Sequence, residues 1–389
     1  MSSKKNIVFI SSWYPTELHP TNGNFVERHA RAAALTNNVF VIHAISDPRQ
    51  ISNYRIDDST VNGIRTIIIY YPKVKTNLPF LRQYLQHKNY IKFHLIALNE
   101  IIKDSVNIDL IHGNVLFPCG LVALKIEKKY QIPFVMTEHW TGYLDYRNLY
   151  DKSTLLRKKL TKKIAKKAKT ILPVSQDLAN SMYRRGLKGH YEIVPNVVDM
   201  ELFKVTAAKS PFTFLHISTL KDDHKNITGI LRAFSKAKFT HSASLLIVGD
   251  GDPKPHQIKA RELGLGDEVC IQGEKSMQEI AKLLSESSAL VLFSNWENLP
   301  CVIIEALASG RPIISSNVGG ISEHLNNNHG ILIEKQNEEQ LSLAMEQMSA
   351  GKFQYNSEAL RNYALDNFSI EAVNTKLDSI YNKIIRSNW

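Results

Sequence analysis

Two glutamates eight positions apart, Glu297 and Glu305, are the residues whose type and spacing point most directly to chemistry. A buried strand is predicted to end near Ser294. A helix is predicted to begin at Pro300, because the N–H that proline lacks would be unpaired in a first turn anyway. A helix N-terminus at the carboxyl end of a parallel strand is a natural anion site. Each carboxylate can accept two hydrogen bonds from a vicinal diol, as ribose and hexoses present. The pattern favours a sugar site over its alternative, two surface glutamates flanking a buried helix.

The elements that must position these residues alternate between strand and helix along the chain. Helical stretches such as residues 25–35 and 120–130 lie between most of the predicted strands. These strands are residues 7–11, 39–45, 64–70, 109–112, 134–137, 170–174, 192–194, 212–217, 245–248, 269–272, 289–293, 312–315 and 331–333. Such alternation predicts parallel sheets with helices on both faces. The alternation of strands and helices is interrupted between residues 198 and 211, where small and polar residues resemble a linker. We therefore expect two doubly wound α/β domains that face each other across a cleft.

The 389 residues suit two domains better than one core. We expect residues 1–200 to form the N-terminal domain, residues 211–368 the C-terminal domain and residues 369–389 a closing helix. Apolar residues of that last segment recur at helical spacing, at Ile370, Val373, Leu377, Ile380, Ile384 and Ile385. This amphipathic helix is expected to pack back on the N-terminal domain.

Composition predicts a cytoplasmic protein. The content is 43% hydrophobic and 22% charged, as in globular proteins, and no segment approaches the roughly 20 apolar residues of a spanning helix. The apolar run after Lys4 and Lys5 is too short for a secretory signal and is interpreted as a first buried strand. The three cysteines, Cys119, Cys270 and Cys301, form no metal or redox spacing, which favours a reducing compartment.

The formal charge of +11 predicts an anionic partner: nucleic acid, an acidic membrane surface or a phosphate-bearing substrate. The charge is concentrated between Arg157 and Lys169, where apolar residues recur at helical spacing and lysines fill the remaining face. Such a helix either binds an anionic membrane surface or packs on the core with a solvated charged face, and both interpretations stay open. Nucleic acid is disfavoured because no recognisable module or aromatic–basic interleaving is present.

The stretch from Glu297 to Pro312 resembles the Glu-x7-Glu signature of the family 4 retaining glycosyltransferases. These enzymes have the GT-B fold, in which two Rossmann-like domains hold the donor in the cleft. The resemblance implies that Glu305 holds the ribose hydroxyls and that Glu297 contacts the transferred sugar. Asn298, Leu299 and Pro300 fall in the same donor-binding segment.

Other stretches match the family in the same order. Lys225, at the start of a predicted helix, resembles the basic residue that grips the donor diphosphate. Thr219 is a departure, because many members carry an arginine there as a second phosphate clamp and a hydroxyl cannot replace that charge. Either Lys221 or His224 supplies part of it, or Lys225 acts with the helix dipole alone. The resemblance also places Gly273 near the nucleotide base.

Two glycine motifs are interpreted as architectural or framing. Gly249-Asp250-Gly251 resembles a turn of the fold, and Gly319-Gly320 resembles the late loop beside the donor.

In the first half, the loop through Gly23 and Asn24 resembles the family's opening loop, whose backbone N–H groups approach the phosphates. His139 ends a strand and matches the histidine beside the reacting sugar, although a lone histidine is more often structural. His112 also ends a strand and is interpreted as packing. Residues 195–199 resemble the element before the interdomain linker.

No Asp-x-Asp is placed to hold a divalent ion, since Asp222 and Asp223 are adjacent, so we expect no cofactor and no catalytic metal. Lys225, the Gly23 loop and the helix near Pro300 would meet the charge of the departing diphosphate. The resemblance implies retention, by a front-face displacement in which Glu297 and His139 position the sugar.

The expected activity is transfer of a hexosyl or N-acetylhexosaminyl group from a UDP- or GDP-sugar to a glycan or lipid-linked acceptor. The expected setting is bacterial surface-polysaccharide synthesis, with peripheral attachment to the cytoplasmic face of the membrane. The alternatives are a nucleotide-sugar epimerase or phosphorylase on the same fold, and more remotely a non-catalytic nucleic-acid-binding protein.

Overall fold

The computed structural model describes residues 4–50 and 52–386. The chain divides into two units, one of residues 1–195 with 370–389 and the other of residues 196–369. Each unit is built around its own sheet, and the two sheets have seven and six strands.

The sheet of the first unit has the strand order β3-β4-β2-β1-β5-β6-β7. Its strands are β1 Asn6–Ser11, β2 Asn38–Asp47, β3 Arg55–Val61, β4 Ile64–Pro72, β5 Leu110–Asn114, β6 Phe134–Glu138 and β7 Ile171–Pro173. Its first helices are α1 Asn24–Ala34, α2 Pro79–Lys103, α3 Leu116–Tyr130, α4 Leu155–Lys167 and α5 Gln176–Arg184. The central strand β1 is almost wholly buried, as its continuous apolar run predicts for a parallel strand covered on both faces. Its neighbour β5 is buried along its whole length as well.

The sheet of the second unit is entirely parallel, with the order β10-β9-β8-β11-β12-β13. Its strands are β8 Phe212–Ser218, β9 Ala243–Gly249, β10 Val269–Gln272, β11 Ala289–Leu292, β12 Ile313–Ser316 and β13 Gly330–Ile333. Its helices are α6 Asp222–Lys225, α7 Ile227–Lys236, α8 Lys254–Glu262, α9 Met277–Glu286, α10 Cys301–Ala308, α11 Glu338–Ser349 and α12 Ser357–Phe368.

The last helix, α13 Ile370–Arg386, belongs to the first unit and packs on α1. Its buried residues include Val373, Leu377 and Ile380, which lie on one face at the spacing read from the sequence. The Lys5 ammonium also pairs with Asp378 of this helix at 2.7 Å.

The predicted parallel sheets are present, but one edge of the first sheet carries a strand that the sequence did not predict: β3 pairs with β4 in antiparallel register. Strand β3 is exposed along nearly its whole length and its sequence is polar, so it carries no apolar signal. The turn that joins it to β4 is Asn62-Gly63, with positive φ at both residues. Asn-Gly is the preferred pair for a two-residue hairpin turn and was the available clue.

The predicted strand at residues 192–194 is wrong. This segment runs beside β7 and donates two backbone hydrogen bonds to it, from Glu192 to Ile171 and from Val194 to Pro173. Pro173 has no N–H with which to return a bond, and Pro195 ends the run in the same way, so no ladder forms.

Acid is expected to destabilise the fold through buried neutral histidines. Burial lowers the pKa of His43 to about 4 and that of His94 to about 3, against an ordinary value of 6.5. A group whose pKa is lower in the folded state contributes stability above the unfolded pKa, and this is lost as the pH falls from 6.5 towards 4. Thermal unfolding at pH 7 and pH 5 should show a larger fall in Tm for the wild type than for the His43→Gln/His94→Gln variant. Equal falls in Tm for the two proteins would contradict this prediction.

Candidate active site

The loop between β11 and α10 carries the first glutamate, and α10 carries the second. Glu297 and Glu305 are each only 5% exposed, so they are not the surface residues of the alternative interpretation. The helix begins at Cys301, one residue later than predicted, and Pro300 precedes it with extended backbone. The loop residues Asn298 and Leu299 are buried as well. The Leu299 carbonyl accepts a hydrogen bond of 2.7 Å from the Asn196 side chain.

A buried ion pair joins the loop between β11 and α10 to Lys225, the last residue of α6. The Lys225 ammonium donates to Glu297 Oε1 at 2.5 Å, and His224 Nε2 lies 3.6 Å from the same oxygen. Burial by itself would raise the pKa of Glu297, but the charges of Lys225 and His224 outweigh it and hold that pKa below its ordinary value. Glu297 is therefore an anion at neutral pH, within a site that also holds a cation.

Backbone contacts join the Glu297 loop to the turn that carries Lys225. The Asn295 N–H donates to the His224 carbonyl, and the Asn295 side chain donates to the Asp223 carbonyl, each at 2.8 Å. The His224 ring stacks on Trp296 with centroids 4.8 Å apart, and its Nε2 donates to the Trp296 carbonyl. The lysine and the glutamate, 72 positions apart in the chain, are thus held in register by their own loops.

The local sequence explains why Lys225 sits where it does. Helix α6 is a single turn that Asn226 ends in the left-handed conformation, and α7 starts at the next residue. Asp222 Oδ1 accepts the Thr228 N–H at 2.7 Å, so this carboxylate caps the start of α7. Thr219, the position at which the sequence departs from the resemblance, is exposed directly after β8. The second basic side chain that the structure places at this site is the imidazole of His224, whose Nε2 lies 3.6 Å from Glu297 Oε1.

Three glycines of the second unit that the sequence singled out differ in what requires them. A Cβ at Gly249 would overlap the carbonyl oxygen of Ser218, so this glycine is needed for packing. Gly319 has φ +58 and lies against the Glu297 carbonyl, which a Cβ would overlap. A Cβ at Gly273 would meet nothing within 4 Å, so packing does not require glycine there.

Replacing Gly319 with alanine is expected to displace the Glu297 loop. The added Cβ would both strain a positive-φ backbone, by about 1–2 kcal/mol, and push on the Glu297 carbonyl. We expect turnover to fall at least about tenfold, since small misplacements of a positioning group are costly. Gly266→Ala is the matched control, because its Cβ would meet nothing within 4 Å. Equal kcat for the two variants would contradict the prediction.

In the first unit, Gly23 precedes α1 with φ +79 and lies against the backbone of Trp13, where a Cβ would overlap. Its own packing therefore requires glycine. Asn24 is the first residue of α1. The ring of Phe25, one residue further on, lies 4.4 Å from the ring of His139. The structure thus brings the Gly23 loop and His139 to one place in this unit.

Glu138 is a residue that the sequence interpretation missed. It is fully buried, and its carboxylate accepts the N–H groups of His139 and Trp140 at 2.8 Å and of Leu116 at 2.9 Å. Burial raises its pKa to about 7, although the three backbone hydrogen bonds act in the opposite direction. It positions the backbone of His139. A carboxylate at the end of a buried strand beside His139 was the signal that could have identified it.

His112 is held between two hydroxyls, with Nδ1 2.6 Å from the Tyr381 oxygen and Nε2 2.6 Å from Thr137 Oγ1. Its buried ring therefore joins β5, β6 and α13.

Among residues 4–50 and 52–386, no cluster of three or more His, Cys, Asp or Glu side chains could hold a metal ion. In the same part of the chain, no helix is both long and apolar enough to span a membrane.

Two family models match consecutive parts of the chain. The model described as Glycosyltransferase Family 4 matches residues 24–202, and that of the Glycosyl transferases group 1 matches residues 198–365. An uncharacterized glycosyltransferase of Methanocaldococcus jannaschii is 24% identical over 72% of this chain and 74% of its own length. The alpha-monoglucosyldiacylglycerol synthase of Streptococcus pneumoniae is also 24% identical, over 55% of this chain and 53% of its own.

Solved structures share the fold along nearly the whole chain. Sucrose-phosphate synthase from Thermosynechococcus elongatus matches with a TM-score of 0.79 at 19% identity, over 99% of this chain and all of that one. Anabaena HepE, solved with UDP and glucose, matches with a TM-score of 0.72 at 16% identity, over 97% of this chain and all of its own. With two parallel-sheet α/β units and both halves matched, the chain belongs to glycosyltransferase family 4 and is a glycosyltransferase of the GT-B type.

Proposed function

We propose that this glycosyltransferase moves a hexosyl or N-acetylhexosaminyl group, with retention, from a UDP- or GDP-sugar to a glycan or lipid-linked acceptor. The observation that carries the proposal is the buried Lys225–Glu297 pair beside the helix that holds Glu305. Such a site offers a cation to a diphosphate and carboxylates to sugar hydroxyls. HepE, of the same fold, was solved with UDP and glucose, which supports a uridine nucleotide as donor.

In the proposed reaction, Lys225 donates a hydrogen bond to the diphosphate, and Glu305 accepts hydrogen bonds from the ribose hydroxyls. Glu297 accepts hydrogen bonds from hydroxyls of the transferred sugar and stabilises positive charge at the anomeric carbon of that sugar. Asn298, Leu299 and Pro300 shape the same segment, and Gly273 lies beside the base. We assign the donor contacts of the first unit to Gly23, Asn24 and His139, as the family implies. Thr219 offers only a hydroxyl.

We propose that no metal is needed, because a buried ammonium and a helix N-terminus can meet the charge of the departing diphosphate. A charge-assisted hydrogen bond contributes roughly 1.5–3 kcal/mol, and removing one preorganised donor typically costs about 10²–10³ in rate. The diphosphate would draw Lys225 away from Glu297. The carboxylate would then be free to accept sugar hydroxyls, so donor binding would prepare the site for reaction.

The lipid-linked acceptor and surface-polysaccharide setting are supported by the relative in Streptococcus pneumoniae, whose name describes synthesis of a glycolipid. The basic run between Arg157 and Lys169 would contact the anionic surface of the membrane on its cytoplasmic face. In helix α4 the buried residues are Thr161, Ile164 and Ala165, while the lysines lie mostly exposed. The helix therefore contributes charge to such a contact.

The test is a donor screen with purified protein in EDTA, a panel of UDP-, GDP- and ADP-sugars, and released nucleoside diphosphate as the readout. The screen is run with and without membrane lipid extract. We expect release from one donor, increased by lipid and unchanged by EDTA, with a glycoside as the second product. Free epimerised donor, or a sugar phosphate, would instead favour the epimerase or phosphorylase alternative. A reaction abolished by EDTA and restored by a divalent ion would contradict the metal-free mechanism.

A further inference from the structure

The first turns of α2 are exposed although they are apolar. Phe80 is 78% exposed and Tyr84 59%, and Leu78 and Leu81 beside them also lie at the surface. Scattered exposed apolar residues are normal in proteins, but a group of four on one helix end is not. This end of the helix is built to contact something other than water.

The start of α4 continues the same apolar surface. Leu155 is 83% exposed and Leu156 is also exposed. A groove of about 260 Å³ is lined by residues of both helices and of α3, among them Phe80, Tyr84, Phe117 and Leu156. Because α2 and α4 line one groove, their exposed apolar residues form one surface, which we call the α2–α4 face.

A larger groove of about 820 Å³ lies beside this face, between α2 and α3. Tyr84, Ile91 and Leu95 give it an apolar lining. Five lysines also line it: Lys88, Lys92, Lys125, Lys128 and Lys129. Lysine stems cover apolar surface while their ammonium groups reach water, so such a groove has an apolar interior and a cationic rim.

The two chain segments that carry the α2–α4 face have charges of one sign. Residues 59–99 contain no Asp or Glu and six Lys or Arg, and residues 152–176 contain no Asp or Glu and nine Lys or Arg. These two segments include α2 up to Asn99 and the whole of α4. The apolar surface is therefore flanked by cations that would attract anionic phosphates.

We propose that the α2–α4 face docks on an anionic lipid bilayer. Phe80, Tyr84 and Leu155 enter the acyl-chain region, the large groove receives one acyl chain, and the surrounding lysines contact lipid phosphates. The apolar side of α4 around Ile164 is already buried in the protein and cannot enter the bilayer. Helix α2 therefore supplies most of the apolar side chains that insert. This deepens the proposed function, since it places the enzyme at the surface where a lipid-linked acceptor resides.

Charge selects the bilayer over a second copy of this chain. Two copies meeting through this face would bring both lysine rims together, and like charges directly opposed are destabilising. An anionic lipid surface complements the same groups, with about 1 kcal/mol for each lysine or arginine near it.

The test is cosedimentation with vesicles of phosphatidylcholine alone or mixed with phosphatidylglycerol. We expect binding to the mixed vesicles that weakens as salt is added, and about a tenfold loss for each apolar side chain removed in Phe80→Ser and Leu156→Ser. Tyr183→Ser and Leu343→Ser, at exposed apolar positions elsewhere, are the matched controls and should bind as the wild type does. Vesicle binding needs no donor, so its failure is separate from failure of the donor screen.

Three outcomes would overturn the proposal. The first is binding of Phe80→Ser/Leu156→Ser within about twofold of the wild type, and the second is equal binding to neutral vesicles. The third is a wild-type dimer in sedimentation velocity that becomes monomeric in the variant with the same two substitutions. The face would then be occupied by a second copy of the chain. Unfolding curves of both variants should match the wild type, since the replaced side chains are exposed.

Discussion

Replacing Glu297 with glutamine is expected to lower kcat for sugar transfer by about 10²–10³-fold, the usual cost of losing one preorganised electrostatic group. The glutamine keeps the size of the side chain and can still accept one hydrogen bond from a sugar hydroxyl. It carries no charge with which to favour a developing positive charge at the anomeric carbon. Initial rates at saturating donor measure the effect. Near-normal turnover would contradict the role assigned to Glu297.

The same substitution is expected to tighten binding of the nucleoside diphosphate by several-fold. In the wild type, Lys225 is held by Glu297 at 2.5 Å, so an incoming diphosphate must compete with this carboxylate. Without the carboxylate, a buried ammonium remains with less compensation, and an anionic ligand relieves that cost. Calorimetric titration with UDP and GDP measures the change. Weaker binding in Glu297→Gln would contradict the competition.

Glu305→Gln provides the comparison for both measurements. Glu305 is assigned to the ribose, which is bound equally in the ground state and the transition state. Its loss should therefore raise the donor KM with little change in kcat. The two glutamates, both buried and eight positions apart, are then separated by which kinetic constant each one changes.

The sequence was sufficient for most of the fold because parallel strands buried on both faces consist of continuous apolar runs. Strands β1 and β11 are buried in this way, and both lie where the sequence places strands. Strand β3 contains no continuous apolar run, because most of its residues are exposed to water. The Asn62-Gly63 turn after it is the sequence feature that indicates a hairpin there. Pattern thus predicts buried elements better than exposed edges.

The site residues were predicted as separate motifs, whereas their interactions depend on the approach of distant loops. Lys225 and Glu297 are 72 positions apart, and their contact follows from the bonds between Asn295 and the turn at residues 223–224. The hydrogen bonds of Glu138 likewise depend on where β6 and the start of α3 meet. Neither arrangement has a periodicity or spacing that a single sequence could reveal.

Replacing Lys225 with methionine is expected to weaken nucleoside diphosphate binding by about 10–100-fold, the value of one charge-assisted hydrogen bond. It should also destabilise the fold by about 3–5 kcal/mol at pH 7, because Glu297 would be left buried without its principal cation. Calorimetry with UDP or GDP and denaturant unfolding measure the two effects separately. An affinity equal to that of the wild type would contradict the assignment of Lys225 to the diphosphate.

The pH dependence of stability identifies the cause of that destabilisation. In the wild type the pKa of Glu297 is held below its ordinary 4.5, so its contribution is present above that pH and is lost in acid. Without Lys225, burial dominates and raises this pKa, so the contribution is lost as the pH rises above 4.5. The difference in unfolding free energy between wild type and Lys225→Met should therefore grow from pH 5 to pH 7. In Lys225→Met/Glu297→Leu the stability should largely return while the diphosphate affinity stays weak. Recovery of both together would mean that Lys225 acts on the nucleotide only through the fold.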